Sequence, residues 1–279
     1  MSLCPQSGHA CCLAFSGAAG NVFATSCTSV QPKGQQIDTL CVFDTMSSIA
    51  DNIESVTRRI QKATIDAGRK PGTVRLLAVS KTRPASDIRT AASSGQRAFG
   101  ENYLQEALDK IEALSDLTDL EWHFIGPIQS NKTRPIANQF SWVHSVDRLK
   151  VARRLNEQRD PALAPLNICL QVNIDREASK SGCHPEEAVA LASAIAGLPN
   201  LRLRGLMAIP DPRQGDTELR QSFRQLAQLL ATINEQLPPE QALDTLSMGM
   251  SGDLESAIAE GATWVRVGTA LFGARASAG

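Results

Sequence analysis

The chain has 279 residues, 28 Lys and Arg against 29 Asp and Glu, and a formal net charge of -1. That balance gives no electrostatic reason to expect nucleic acid or an acidic membrane surface as a partner. No apolar run approaches the roughly 18 residues of a membrane span, and 42% hydrophobic with 20% charged residues is an ordinary globular composition.

Residues 1–45 carry one Lys (Lys33), no Arg, and five of the seven cysteines: Cys4, Cys11, Cys12, Cys27 and Cys41. They show no sustained period. A secretory signal needs a basic start before its apolar stretch, and a transit peptide needs arginines. Both are missing, so this segment is expected to be a disordered extension or to lie upstream of the natural start at Met46. His9 with Cys11 and Cys12 makes only a weak metal motif, because no C-x-x-C pair follows. No disulfide framework is evident, and a reducing cytoplasm fits best. Cys169 reads as a buried strand residue and Cys183 as a loop thiol.

From Met46 the periodicity changes. Ile49, Ile53, Val56 and Ile60 recur on one face of a 3.6 period. Ser47 or Ser48 can cap this first helix and Gly68 can end it. Strand-like and helix-like segments then alternate. Strands are predicted over 74–80, 98–100, 122–125, 142–146, 168–174, 203–209, 245–248 and 264–267. Helices are predicted over 85–94, 103–114, 148–159, 185–196, 217–236 and 254–260, with a helix over 132–138 broken by Pro135. Alternation of this kind implies a parallel sheet, and eight units imply a closed TIM-like (β/α)8 barrel, an α/β fold, with an extra N-terminal helix. Residues 46–279 then form one barrel domain. No G-x-G-x-x-G follows the first strand, which argues against an open doubly wound sheet.

In such a barrel the chemistry sits at the C-terminal strand ends. The first strand ends in Val79-Ser80-Lys81-Thr82, which delivers an amine to the mouth; burial there lowers its pKa and frees it to attack a carbonyl. The seventh unit, Leu246-Ser247-Met248-Gly249-Met250-Ser251-Gly252-Asp253, puts backbone N–H groups and hydroxyls before a helix. It reads equally as an anion site or as a helix cap. On the eighth strand Arg266 and Gly268 share one face, so an inward Arg266 needs a partner. Gly268-Thr269 adds a close-approach backbone and a hydroxyl at the usual phosphate position of the fold. A lysine on strand 1 beside a phosphate cradle on strands 7 and 8 suits a ligand with both a carbonyl and a phosphate. Pyridoxal 5′-phosphate (PLP) meets that description, and so does a sugar phosphate of a Schiff-base aldolase. Asn102 reads as a ring contact or a helix cap, His123 as a core histidine, and Lys132 as a solvated residue.

These strand ends carry a resemblance. The segments V-S-K-T (79–82), F-G-E-N-Y-L-Q-E (99–106), H-F-I-G-P-I-Q-S-N-K (123–132), R-G-L-M (204–207), L-S-M-G-M-S (246–251) and V-R-V-G-T-A-L-F-G (265–273) are similar to the pyridoxal phosphate homeostasis protein family. The resemblance runs in order from about Met46 to Arg275 and leaves out residues 1–45. It implies a fold like the N-terminal domain of bacterial alanine racemase. It implies PLP held as a Schiff base on Lys81, with Ser251, Gly268, Thr269 and Ser247 at its phosphate and Arg266 at its pyridine nitrogen. An arginine there disfavours ring protonation and weakens the electron sink. The implied role is vitamin B6 homeostasis without efficient catalysis. Beside it, a cytoplasmic monomer is expected, with PLP-dependent apo-enzymes as candidate recipients. The alternative is a PLP-dependent amino-acid racemase. That chemistry needs a second base of the tyrosine type, and the only tyrosine is Tyr103.

Overall fold

The computed structural model describes residues 25–30, 36–41, 48–177, 180–211 and 215–273. The chain divides into two compact units, residues 1–47 and 48–279. In the first, strands β1 (Thr25–Val30) and β2 (Gln36–Cys41) pair antiparallel, with Thr25 opposite Cys41. The rest of residues 1–45, including His9, Cys11 and Cys12, lies outside the described residues.

The second unit opens with α1 (Ile49–Asp66). Ser48 caps it in a reciprocal capping box with Asp51, which satisfies two of the orphan N–H groups. Ile53, Val56 and Ile60 are buried on one face, and Gly68 follows with φ +68°.

Eight strands then alternate with helices: β3 (Arg75–Val79), α2 (Ala85–Ser93), β4 (Ala98–Glu101), α3 (Leu104–Ala113), β5 (Glu121–Phe124), α4 (Thr133–Gln139), β6 (Trp142–Val146) and α5 (Leu149–Gln158). The second half is β7 (Leu166–Gln171), α6 (Pro185–Ala196), β8 (Leu201–Met207), α7 (Asp216–Asn234), β9 (Thr245–Ser247), α8 (Leu254–Ala259), β10 (Trp264–Val267) and α9 (Thr269–Phe272). The strands pair in parallel in chain order, and β10 closes the ring on β3, aligning Val267 with Ala78. The predicted (β/α)8 barrel with an extra N-terminal helix is therefore the observed fold.

Strand alternation sorts the core. Ala78, Phe99, Val143, Ile168, Val265 and Val267 pack outward with helix residues such as Ile88, Ala107 and Phe223. Leu77, Ala98 and Trp264 form an inner cluster, and Trp142, Cys169 and Met207 form a second.

Three local expectations are corrected. Pro135 does not break its helix. It sits in the first turn of α4, where its missing N–H has no intrahelical partner to lose. β7 and β8 each begin two residues earlier than predicted, because Leu166 pairs with Leu201. Cys183 is buried rather than a loop thiol, and its segment bridges to Val172 in parallel. Cys169 is fully buried as expected, and burial pushes its thiol well up.

Candidate functional site

Lys81 follows β3 and Gly268 follows β10, so closure of the barrel makes them neighbours. Lys81, Val79, Thr82, Gly268 and Thr269 line one cavity of about 40 Å³ at the C-terminal mouth. A second cavity of about 240 Å³ at that mouth is lined by Asn102, Ile125, Pro127, Asn173 and Ile209, among others.

The segment carrying Lys81 is fixed from behind by a buried ion cluster that the sequence reading did not find. Lys110 on α3 donates to the Ser80 carbonyl at 2.7 Å, to Glu101 Oε1 at 2.8 Å and to Glu106 Oε1. Those contacts use all three ammonium hydrogens. Ser80 Oγ donates to Glu101 Oε1 at 2.6 Å and the Thr82 N–H to Glu106 Oε1 at 2.5 Å. Both residues flanking Lys81 are thus anchored, and Thr82 is held at φ +62°. Burial pushes the Glu101 carboxyl up, while Lys110 and Ser80 oppose that rise.

Asn102 does not cap α3. Tyr103 occupies the cap position without a side-chain bond, and Asn102 Oδ1 is buried with no hydrogen-bond partner among the described residues. Its backbone is pressed by the loop after β5: a Cβ on Gly126 would lie 2.0 Å from the Asn102 carbonyl oxygen. Asp253 closes the turn after β9 by accepting from the Met250 N–H, and Gly249 takes φ +91°. Arg59 on α1 donates to the Ser251 carbonyl at 3.1 Å, which ties that turn to the extra helix. Lys132 is exposed.

Arg266 points into the barrel with 5% of its surface exposed. Its partners are the Ser247 carbonyl at 2.6 Å, Ser247 Oγ at 2.9 Å and the Ala208 carbonyl at 2.9 Å. Burial lowers its pKa to about 10 against the opposing pull of Asp253 and Cys169. Ser247 is fully buried, and its hydroxyl also contacts His144 Nδ1 at 2.8 Å. Ser247 therefore meets Arg266 inside the barrel, while Gly268 and Thr269 line the cavity with Lys81. His144 and His123, both fully buried, touch at 2.9 Å. The sequence reading treated His123 as ordinary core. The signal it passed over was polar parity: Glu121 and His123 share one strand face, as do Trp142 and His144.

Burial holds both imidazoles below their ordinary 6.5, and His144 the more strongly, with His123 and Arg266 adding repulsion. The unfolded chain then binds more protons than the fold as pH drops through about 6.5. Stability present above that pH is lost below it. The melting temperature is expected to fall between pH 7 and 5, and His144→Gln is expected to flatten that fall in a calorimetric pH series.

Among the described residues no group of three or more metal-ligating side chains occurs, and no helix is long and apolar enough to cross a membrane. The sequence model of the family described as "Alanine racemase, N-terminal domain" matches residues 47–276. A pyridoxal phosphate homeostasis protein of Pseudomonas aeruginosa is 64% identical over 230 residues, covering 82% of this chain and 97% of the relative. The chain belongs to the pyridoxal phosphate homeostasis protein family. A second relative of that name, from Escherichia coli, is 52% identical and covers 82% of this chain and 98% of its own length. Among solved structures this family member is similar to PipY of Synechococcus elongatus with PLP bound: TM-score 0.71, 39% identity, 81% of this chain and all of that one. Alanine racemase of Corynebacterium glutamicum shares the fold at TM-score 0.60 and 18% identity.

Proposed function

We propose that this chain binds PLP as a Schiff base on Lys81 and takes part in vitamin B6 homeostasis as a cytoplasmic, monomeric carrier. The observation that carries the proposal is the single cavity shared by Lys81, Gly268 and Thr269. The residues fit the cofactor. Gly268 and Thr269, with Ser251 on the neighbouring turn, would hold the phosphate. Asn102, with its unpartnered buried oxygen, would meet a ring substituent. Arg266, backed by Ser247, would meet the pyridine nitrogen. PLP bound there supplies an aldehyde for an amine and a ring that withdraws electrons. A guanidinium cannot accept a proton bond from the ring, so Arg266 leaves the nitrogen unprotonated and that withdrawal weak.

A racemase reading needs a second base on the far side of the substrate. Tyr103, the only tyrosine, is exposed at the start of α3 and makes no capping contact. The carrier reading is therefore preferred, with apo-enzymes that use PLP as the recipients. The purified protein with added PLP is expected to gain a visible absorbance band that borohydride removes with retention of the label. Lys81→Ala is expected to lack both. A labelled Lys81→Ala protein would sink the assignment, and rapid exchange of the alanine α-proton by the unsubstituted protein would favour the racemase.

A further inference from the structure

Among the described residues no carboxylate is bonded to Arg266, although it is a buried cation. What it has instead is a row of polar side chains through the barrel interior. Ser247 Oγ lies 2.9 Å from Arg266 Nη1 and 2.8 Å from His144 Nδ1. His144 Nε2 lies 2.9 Å from His123 Nδ1. His123 Nε2 then faces Glu121 Oε1 at 3.7 Å, an electrostatic contact beyond hydrogen-bond length, and has no hydrogen-bond partner among the described residues. Glu121 stands at the N-terminal end of β5, the opposite mouth. It is fixed there by Trp142 Nε1 at 2.7 Å and by Arg75 at 2.6 Å, whose guanidinium lies 4.0 Å over the Trp264 ring.

The direction of the row follows from valence. A guanidinium only donates, so Ser247 Oγ accepts from Arg266. The hydroxyl hydrogen then has one place to go, His144 Nδ1; the reverse would leave it without an acceptor among the described residues, a penalty inside a protein. A neutral His144 with Nδ1 accepting carries its hydrogen on Nε2 and donates it to His123 Nδ1. His123 in turn carries its hydrogen on Nε2, aimed at the Glu121 carboxylate. The electrostatics agree. Each dipole has its negative end toward Arg266 and its positive end toward Glu121, so both terminal charges favour this direction and oppose the reverse.

We propose that His123, His144 and Ser247 form a one-way hydrogen-bond chain along the barrel axis, and that Glu121 at the far mouth is through it a positioning residue for Arg266. The consequence for the cofactor rests on the PLP reading above: Glu121 sets how Arg266 presents its guanidinium to the ring nitrogen. The other charge that acts on Arg266 is Asp253, those on His123 are Glu121 and Arg75, and His144 feels His123 and Arg266.

Two measurements on the full chain decide it. Nitrogen-15 NMR of ring-labelled histidine, in protein without added PLP, is expected to give both His123 and His144 as the tautomer protonated on Nε2. His144 protonated on Nδ1 would overturn the chain whether or not PLP binds. In PLP-loaded protein, the pH titration of the visible band is expected to move by about half a unit or more in Glu121→Gln. It is expected to return toward its original position in Glu121→Asp. An unmoved titration in a folded Glu121→Gln protein would overturn the positioning role. Absence of any visible band in the unsubstituted protein would instead sink the PLP reading, with the NMR result standing apart. Should Glu121→Gln fail to fold, the tautomers of the unsubstituted protein still decide the chain and Glu121→Asp the coupling.

Discussion

Gly205→Ala is expected to destabilise the barrel more than any other single glycine substitution outside a turn. Gly205 lies on β8 opposite Thr245 of β9, and a Cβ built there would sit 1.7 Å from the Thr245 carbonyl oxygen and 2.5 Å from its carbon. Both are backbone atoms, so no rotamer change relieves the overlap. The two strands would have to separate, yet their spacing is fixed at about 4.8 Å by the ladder. Separation would also move the Ala208 and Ser247 carbonyls that hold Arg266. An effect of at least about 4 kcal/mol is expected. For a domain of this size that lowers the melting temperature by roughly 8–16 °C. The control is Gly197→Ala, at a helix end with φ -79° and nothing within 4 Å of the added Cβ. Its effect is expected within about 0.5 kcal/mol. Thermal melts of the two variants side by side check the pair, and a Gly205→Ala protein that melts like the parent would refute the close approach.

Lys110→Met is expected to destabilise the barrel by about 3–5 kcal/mol. Methionine fills the same space and packs well, so the loss is one of charge rather than volume. Without the ammonium, Glu101 and Glu106 share a pocket with no cation, and Glu101 is fully buried. Glu101 would then stay protonated to higher pH in the fold than in the unfolded chain. In that window the native state binds more protons, so the variant's stability falls as pH rises. Denaturant melts should therefore show a larger deficit at pH 8 than at pH 5. Adding Glu101→Gln should recover part of the loss, since an amide oxygen still accepts from Ser80 and carries no charge. A deficit that is flat with pH and unrelieved in the double variant would mean that packing, not charge, holds this cluster. Because Ser80 and Thr82 hang on it, the same variant should also slow PLP capture by Lys81.

Much of the site was legible because it depends on alternation. Arg266 and Gly268 lie two residues apart on one strand, so their common face follows from backbone geometry alone. That an inward Arg266 needs a partner follows from the expense of a buried charge. Which partner it finds does not follow. Ala208 and Arg266 stand 58 residues apart and Ser247 and His144 stand 103 apart. Lys110 reads as one more surface residue of an amphipathic helix until α3 is laid against β3 and β4.

The order of eight strand–helix units, the barrel they imply, and the strand ends where chemistry belongs were written into the chain by periodicity, a property of neighbours in sequence. The clamp behind Lys81, the orphaned oxygen of Asn102 and the histidine row to Glu121 came only with closure of the barrel. Each depends on the register between strands that are distant in the chain, and no local pattern encodes that register.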